Sequence, residues 1–313
     1  MSAASYAGIL LALLATTAYN VGMILEKRAL GHMPTLDLRR VRHVAASLAT
    51  SRAWLGGFAL MLTGLACQTI VLTFEPVSVV QPVLASGVTL VLVLSRLMLR
   101  ERLRAAETWC VAAIAVSVIL LALSATGAEA SHHASPGWVA VVMVPSVVVG
   151  LLVAAGALRA RRYGSAAAGV WAGVGTGLLY GVAALAIKGL SGILVRHQTL
   201  AGLAIGVVSS PYLYVLAGSS AVAMLLFQAA LQAGRASIII PVSGVTGSTY
   251  FIIAGTWLFH EHLPESPAKL GLRLAGIVLA ALVVIALSRQ APEQVPAADG
   301  AELARGQLAE VRR

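Results

Sequence analysis

The chain has 313 residues, of which 59% are hydrophobic and only 11% charged, with a mean hydropathy of +0.89; soluble domains usually carry about 25% charged residues. A water-soluble fold of this length cannot hide so much apolar surface, and the formal net charge of +10 falls in short loops between apolar runs, where it reads as a topology signal and a contact to anionic lipid. Soluble enzyme, nucleic-acid binder and secreted disulfide scaffold are excluded, and the fold class expected is an all-α polytopic membrane protein.

Apolar runs of about 20 residues, the length that crosses a hydrocarbon core, recur at 5-26, 53-74, 77-99, 107-125, 137-158, 167-189, 212-232, 237-259 and 269-288. The first has no basic n-region and no convincing cleavage site, so it is expected to be a retained span. Cys67 and Cys110 lie inside apolar runs and read as small buried hydrophobes rather than a disulfide or metal pair. A shorter segment, 199-210, ends at Pro211 and reads as a re-entrant or interfacial piece. The stretch from Arg289 onward is polar and reads as a disordered or loosely helical tail. Eighteen Lys and Arg residues fall on one side of this nine-span arrangement, among them Lys27, Arg28, Arg100, Arg161 and Arg235. Four fall on the other: Lys188, Arg196, Lys269 and Arg273. The positive-inside rule then puts the N-terminus outside and the C-terminus in the cytoplasm.

The chain repeats itself. Tyr19 to Lys27 matches Tyr180 to Lys188 at an offset of 161, Gln68 matches Gln228 at 160, Ser78-Val-Val-Gln-Pro82 matches Ser237-Ile-Ile-Ile-Pro241 at 159, and Glu101-Arg102-Leu103 matches Glu261-His262-Leu263 at 160. Landmarks in the same order at nearly one offset indicate two four-span units, 1-126 and 166-288, joined by a fifth span within 127-165 and followed by the polar tail 289-313. An odd linker inverts the second unit relative to the first. That is the architecture of many secondary transporters, whose site lies between the halves.

On these landmarks the sequence resembles the drug/metabolite transporter superfamily. One unit is similar to a four-helix small multidrug resistance protein, and the duplicated chain resembles the EamA and NIPA branches, the latter comprising magnesium transporters with nine spans. Small multidrug resistance proteins carry a membrane-embedded glutamate eight residues before the lysine. Tyr19 and Tyr180 stand there in this sequence, so the resemblance does not extend to that proton-for-dication exchange.

Ionisable residues inside a membrane are costly and default to functional candidates. Glu26, Glu75, Glu101, Glu107 and Glu261 all fall near expected span ends, while amides and hydroxyls occupy mid-depth positions. The expected pathway residues are Tyr19, Asn20, Gln68, Gln81, Pro82, Tyr180, Gln228, Pro241, Ser243 and Thr246. Pro82 and Pro241 remove helix hydrogen bonds and so are expected to break spans 3 and 8 beside a cavity; a benign kink is the plainer reading. Lys27, Glu75 and Lys188 are charged gate candidates, one matched lysine near each mouth, against simple snorkelling of the lysines to the interface and a helix-start role for Glu75. Gly169, Gly173, Gly177 and Gly181 form a small-residue stripe suited to close helix packing.

Enzyme-like strings fail on context. His32 and Asp37 stand in no catalytic domain, and a zincin reading of His260-Glu261-His262 needs a histidine where Pro264 stands. His132 and His133 make at most a weak zinc pair. No catalytic residue, metal or cofactor is expected. The leading expectation is a multi-pass secondary transporter of the cytoplasmic membrane that moves a small polar metabolite or xenobiotic, monomeric or homodimeric, with the lipid bilayer and a small-molecule solute as partners and no nucleic acid. The alternatives are a NIPA-like magnesium transporter and, further off, a lipid-linked-group flippase or non-transporting membrane partner.

Overall fold

The computed structural model describes residues 3–36, 40–74, 77–101, 104–124, 136–162, 165, 167–196, 205–259, 264 and 266–290; side chains within 3–9, 71–85, 136–140 and 191–196 are among those left undescribed. All regular structure among the described residues is helical: α1 (Ala3–Leu30), α2 (Val41–Thr50), α3 (Arg52–Phe74), α4 (Val77–Met98), α5 (Ala105–Leu123), α6 (Pro136–Arg162), α7 (Ala168–Arg196), α8 (Pro211–Ala233), α9 (Ala236–Leu258) and α10 (Pro267–Gln290). Each apolar run read from the sequence falls on one helix of this set. Six of them, α5 to α10, are long and apolar enough within their described residues to cross a membrane.

Two helix boundaries differ from expectation, each for a physical reason. Ten-residue α2 lies in what reads as a basic loop. It is held by Val44 and Leu48, one turn apart and buried, through its packing on α3, a signal too short for a span-length hydropathy window. And α1 continues through Leu30, so Glu26 and Lys27 lie inside the helix and not at its end. Residues 205–208 of the 199-210 segment form one helical turn. Ser210 then caps α8, its hydroxyl accepting from the Tyr212 amide at 3.2 Å, with Pro211 in the first turn.

Neither Pro82 nor Pro241 interrupts its helix. α4 is helical across Pro82 and α9 across Pro241, which corrects the expected breaks: each ring removes one ladder bond and the rest of the helix persists.

Packing follows one pattern twice. α1 packs on α3 and α4, and α4 on α5; α7 packs on α8 and α9, and α9 on α10. α6 covers α7 and α8, while α1·α8, α4·α9, α5·α9 and α5·α10 join the two groups. Glycines set the closest approaches. A Cβ on Gly64 would lie 2.4 Å from the Tyr19 amide nitrogen, and one on Gly22 2.5 Å from that of Met61, so α1 and α3 touch backbone to backbone. The Gly173, Gly177 and Gly181 stripe of α7 serves α9 in the same way, meeting Val242, the Ser243 carbonyl and the Gly247 carbonyl. The packing role expected of that stripe is therefore visible. Gly169 takes no part; nothing lies within 4 Å of its Cβ position.

Candidate functional site

The helix spacing of α1 puts Tyr19, Met23, Glu26 and Leu30 on one face. Met23, Glu26 and Leu30 are buried, because this face meets α8. Glu26 is only 1% exposed. Its Oε2 accepts a hydrogen bond from Gln228 Nε2 of α8. The Gln228 carbonyl oxygen in turn accepts from the Trp54 indole at 3.3 Å, and Trp54 stacks on Phe58 with ring centroids 4.9 Å apart. The second Glu26 oxygen is buried without a hydrogen-bond partner among the described residues. A buried carboxylate half-satisfied by an amide is expensive. At the crossing of two helices it is a ready acceptor for a cation.

Six residues back along α1, Asn20 is buried and its Nδ2 donates to the Thr16 carbonyl at 2.7 Å. Gly87 of α4 lies against it, with no room for a Cβ. Tyr19 and Tyr180, from α1 and α7, both pack on the apolar cluster that contains Phe227, and Tyr180 meets that ring edge-on with centroids 5.8 Å apart. The structure therefore brings Tyr19, Asn20, Tyr180 and Gln228 to one region.

Beyond Glu26, polar groups tie the same end of the bundle together. Lys27 Nζ donates to the carbonyls of Leu231 and, at 2.7 Å, Gly234, where α8 ends; a cation at a helix C-terminus is favoured by the dipole. Gln232 accepts the Leu36 amide at 2.7 Å and donates to the Pro34 carbonyl at 2.9 Å. Arg100 adopts a left-handed φ of 54° after α4, turning the chain so that Glu101 reaches the start of α9. There its carboxylate accepts the Ala236 amide at 2.8 Å, the Ser237 amide at 3.0 Å and the Ser237 hydroxyl at 2.5 Å. Glu107 pairs with Arg235 in a two-point contact. Every one of these bonds crosses from the helices before α6 to those after it.

The other expected residues are placed differently. Gln68 is half-buried on α3, about 21 Å along that helix from Trp54 by helix rise, so it does not share Gln228's site. Ser243 is buried, with its hydroxyl 3.5 Å from that of Thr176, and Thr246 packs at Gly177. Both belong to the α7·α9 contact; Pro241 is buried in α9. Lys188 sits over the rings of Phe259 and Phe251, at 5.1 and 5.9 Å. The side chains of Gln81 and Pro82 lie outside the described residues, as do Glu75, Glu261, His132, His133, His260, His262 and the tail from residue 291. Among the described residues no group of three His, Cys, Asp or Glu side chains is arranged to hold a metal ion.

Sequence reasoning missed Glu26, Trp54, Gln232 and the Glu107–Arg235 pair. For Glu26 a signal existed: it stands seven residues after Tyr19, on the same face, with Leu30 continuing the apolar stripe.

A family model described as "Magnesium transporter NIPA" matches residues 3–292. A protein of Arabidopsis thaliana named "Probable magnesium transporter NIPA9" is 25% identical over 286 residues, covering 89% of this chain and 81% of its own length. No solved structure matches. Of the functions weighed from the sequence, the magnesium alternative is thus better backed than the polar metabolite, and an enzyme class is not. With a match running nearly end to end over a helical, apolar chain, the protein belongs to the NIPA magnesium transporter family, within the drug/metabolite transporter-like superfamily of membrane transporters.

Proposed function

We propose that this chain moves magnesium across the cytoplasmic membrane by alternating access between two inverted four-helix halves, with Glu26 as the carboxylate that receives the ion. Nine helices cross the bilayer, the N-terminus faces outward, and the end that carries Glu26, Lys27 and Glu101 faces the cytoplasm. The matched packing of α1, α3, α4, α5 and of α7, α8, α9, α10 supports the duplication. So does one further contact. The Ser117 hydroxyl donates to the Gly276 carbonyl at 2.8 Å, and these residues stand 159 apart, the repeat's own offset. Equivalent positions touch each other where a two-fold axis passes between them.

The buried, half-satisfied carboxylate of Glu26 is the observation that carries the magnesium reading. Magnesium gives up its water reluctantly and binds through one or two carboxylates with several waters retained. A site with one carboxylate, the Gln228 amide and the Asn20 amide nearby suits such an ion better than a dry cage would. Rocking of the halves about the α1·α8 contact would break the Glu26–Gln228 bond and free both groups for the ion. Tyr19, Asn20, Tyr180 and Gln228 line its route, with Lys27 and Lys188 toward the two mouths.

Magnesium uptake into proteoliposomes, followed by a trapped magnesium-sensitive dye, tests this. Wild-type protein gives uptake, and Glu26→Gln loses most of it. If wild-type vesicles take up no magnesium yet move a polar metabolite from a solute panel, the assignment of the ion is wrong.

A further inference from the structure

At the end of the bundle where α1, α4, α6 and α8 finish and α7 and α9 begin lies a cleft of about 700 Å³. This is the size of a small-molecule site, about 300–1,000 Å³. Its charged lining is Lys27, Arg28, Glu101, Arg161 and Arg235; with Arg235 paired to Glu107, three positive charges, Lys27, Arg28 and Arg161, stand against one negative. The one carboxylate is already committed, since Glu101 spends its oxygens on the start of α9. Lys27 and Arg161 flank the same point: Lys27 donates to the Gly234 carbonyl, and Arg161 Nη1 lies 3.4 Å from where a Cβ on Gly234 would stand. Arg161 is half-buried and makes no hydrogen bond to another described residue. Gly169 opens the first turn of α7 onto this space, adding the partial positive charge of a helix start.

A free dication gains nothing from such a lining. We infer that this cleft is a binding site for a phosphate-bearing anion, held by Arg161, Arg28 and Lys27 against the first turn of α7. Planar guanidinium groups bind phosphate oxygens in two-point contacts, and α7's opening turn supplies the geometry that anions seek at helix starts. The two available sources of the same chemistry are a soluble polyphosphate and the headgroup of an anionic lipid. The site lies beside the contacts of α8 with Lys27 and, through Gln232, with Leu36, so an occupant bridging α1, α6 and α7 favours the arrangement that holds these contacts.

Binding of pyrophosphate to the full chain in magnesium-free buffer tests the inference without reference to any flux. The protein is placed in nanodiscs of phosphatidylcholine, with or without phosphatidylglycerol, and ionic strength is matched with potassium chloride. The expected result in phosphatidylcholine is a saturable affinity that weakens at least tenfold in Arg161→Gln and is partly kept in Arg161→Lys. Gly169→Glu, whose added Cβ meets no atom within 4 Å, puts a carboxylate into the cleft without a packing cost and should abolish binding. If phosphatidylglycerol weakens pyrophosphate binding, the headgroup competes for the site and is its natural source; equal binding in both discs makes the ligand soluble. Absence of pyrophosphate binding in phosphatidylcholine, or binding that Arg161→Gln and Gly169→Glu both leave intact, overturns the proposal.

Discussion

α1 and α7 are packed alike, α1 against α3 and α4 and α7 against α8 and α9, yet they differ in their surroundings. α7 is enclosed, with 67% of its apolar window buried, because α6 lies against it as well as α8 and α9. α1 is less covered; Leu10, Leu13 and Leu14 are exposed. The repeat offset of 161 pairs Glu26 with Ile187 and Lys27 with Lys188. Glu26 is buried among polar partners, whereas Ile187 is 56% exposed. Lys27 crosses to α8, while Lys188 rests on two aromatic rings of its own unit. Helices with similar packing thus differ in chemistry, since of these two positions only 26 carries a carboxylate.

The sharpest way to break this comparison is to remove each partner of the pair. Glu26→Ala should abolish magnesium flux, and by leaving the Gln228 amide buried without its acceptor it should also cost about 1–3 kcal/mol of stability. Ile187→Ala, on an exposed face, should leave flux intact. Equal loss in both variants, measured in the same proteoliposomes, would mean that the two repeats share the chemistry.

Next in size is the packing of the two leading helices. Gly64→Ala forces a Cβ to within 2.4 Å of the Tyr19 amide nitrogen, and Gly177→Ala to within 2.5 Å of the Ser243 carbonyl. The obstacle is backbone in both cases, so each should lose about 1–3 kcal/mol. Gly56→Ala, with nothing within 4 Å, should be neutral or gain up to about 1 kcal/mol from helix propensity. Thermal unfolding in detergent separates the three. A Gly177 variant as stable as wild type would show that α7·α9 is the looser of the two interfaces.

The lysines come third. Lys27→Met gives up charge-assisted bonds to two helix-end carbonyls, at about 1.5–3 kcal/mol. Lys188→Met gives up cation–π contacts worth about 0.5–2 kcal/mol. Unfolding midpoints should therefore fall further for Lys27→Met, and a reversed order would show that the Lys27 contacts are not held in solution.

Apolar runs long enough to span a bilayer were legible as helices because hydropathy over 20 residues is set by composition, with no tertiary information needed. The match of Tyr19 with Tyr180 was legible through the sequence offset, and both pack on the cluster that holds Phe227. What stayed hidden depended on helix length and on which face turned inward. The chain keeps its helix for four residues beyond the apolar run, from Lys27 to Leu30, because α8 buries that face. This converts Glu26 from a residue expected near a span end to a buried one. Gln68 shows the converse: matched to Gln228 in sequence, it lies about 21 Å along α3 from Trp54, because a sequence match does not fix which helices meet. Pro82 and Pro241 carried a signal that the helices absorbed.

The smallest expected effect tests that axis directly. Ser117 and Gly276 touch at the crossing of α5 and α10, and a Cβ on Gly276 would come within 2.9 Å of Leu121 side-chain atoms. Ser117→Ala removes one hydroxyl-to-carbonyl bond between helices, worth about 0.6 kcal/mol on the scale found for such bonds in membranes, and leaves the close approach intact. Gly276→Ala keeps the carbonyl but pushes Leu121 aside. If the contact marks the axis, the double variant should lose less than the sum of the two, because both changes act on one crossing and the bond is already lost once the helices separate. Additive losses in a double-mutant cycle would place the two residues in independent contacts and remove this support for the two-fold relation.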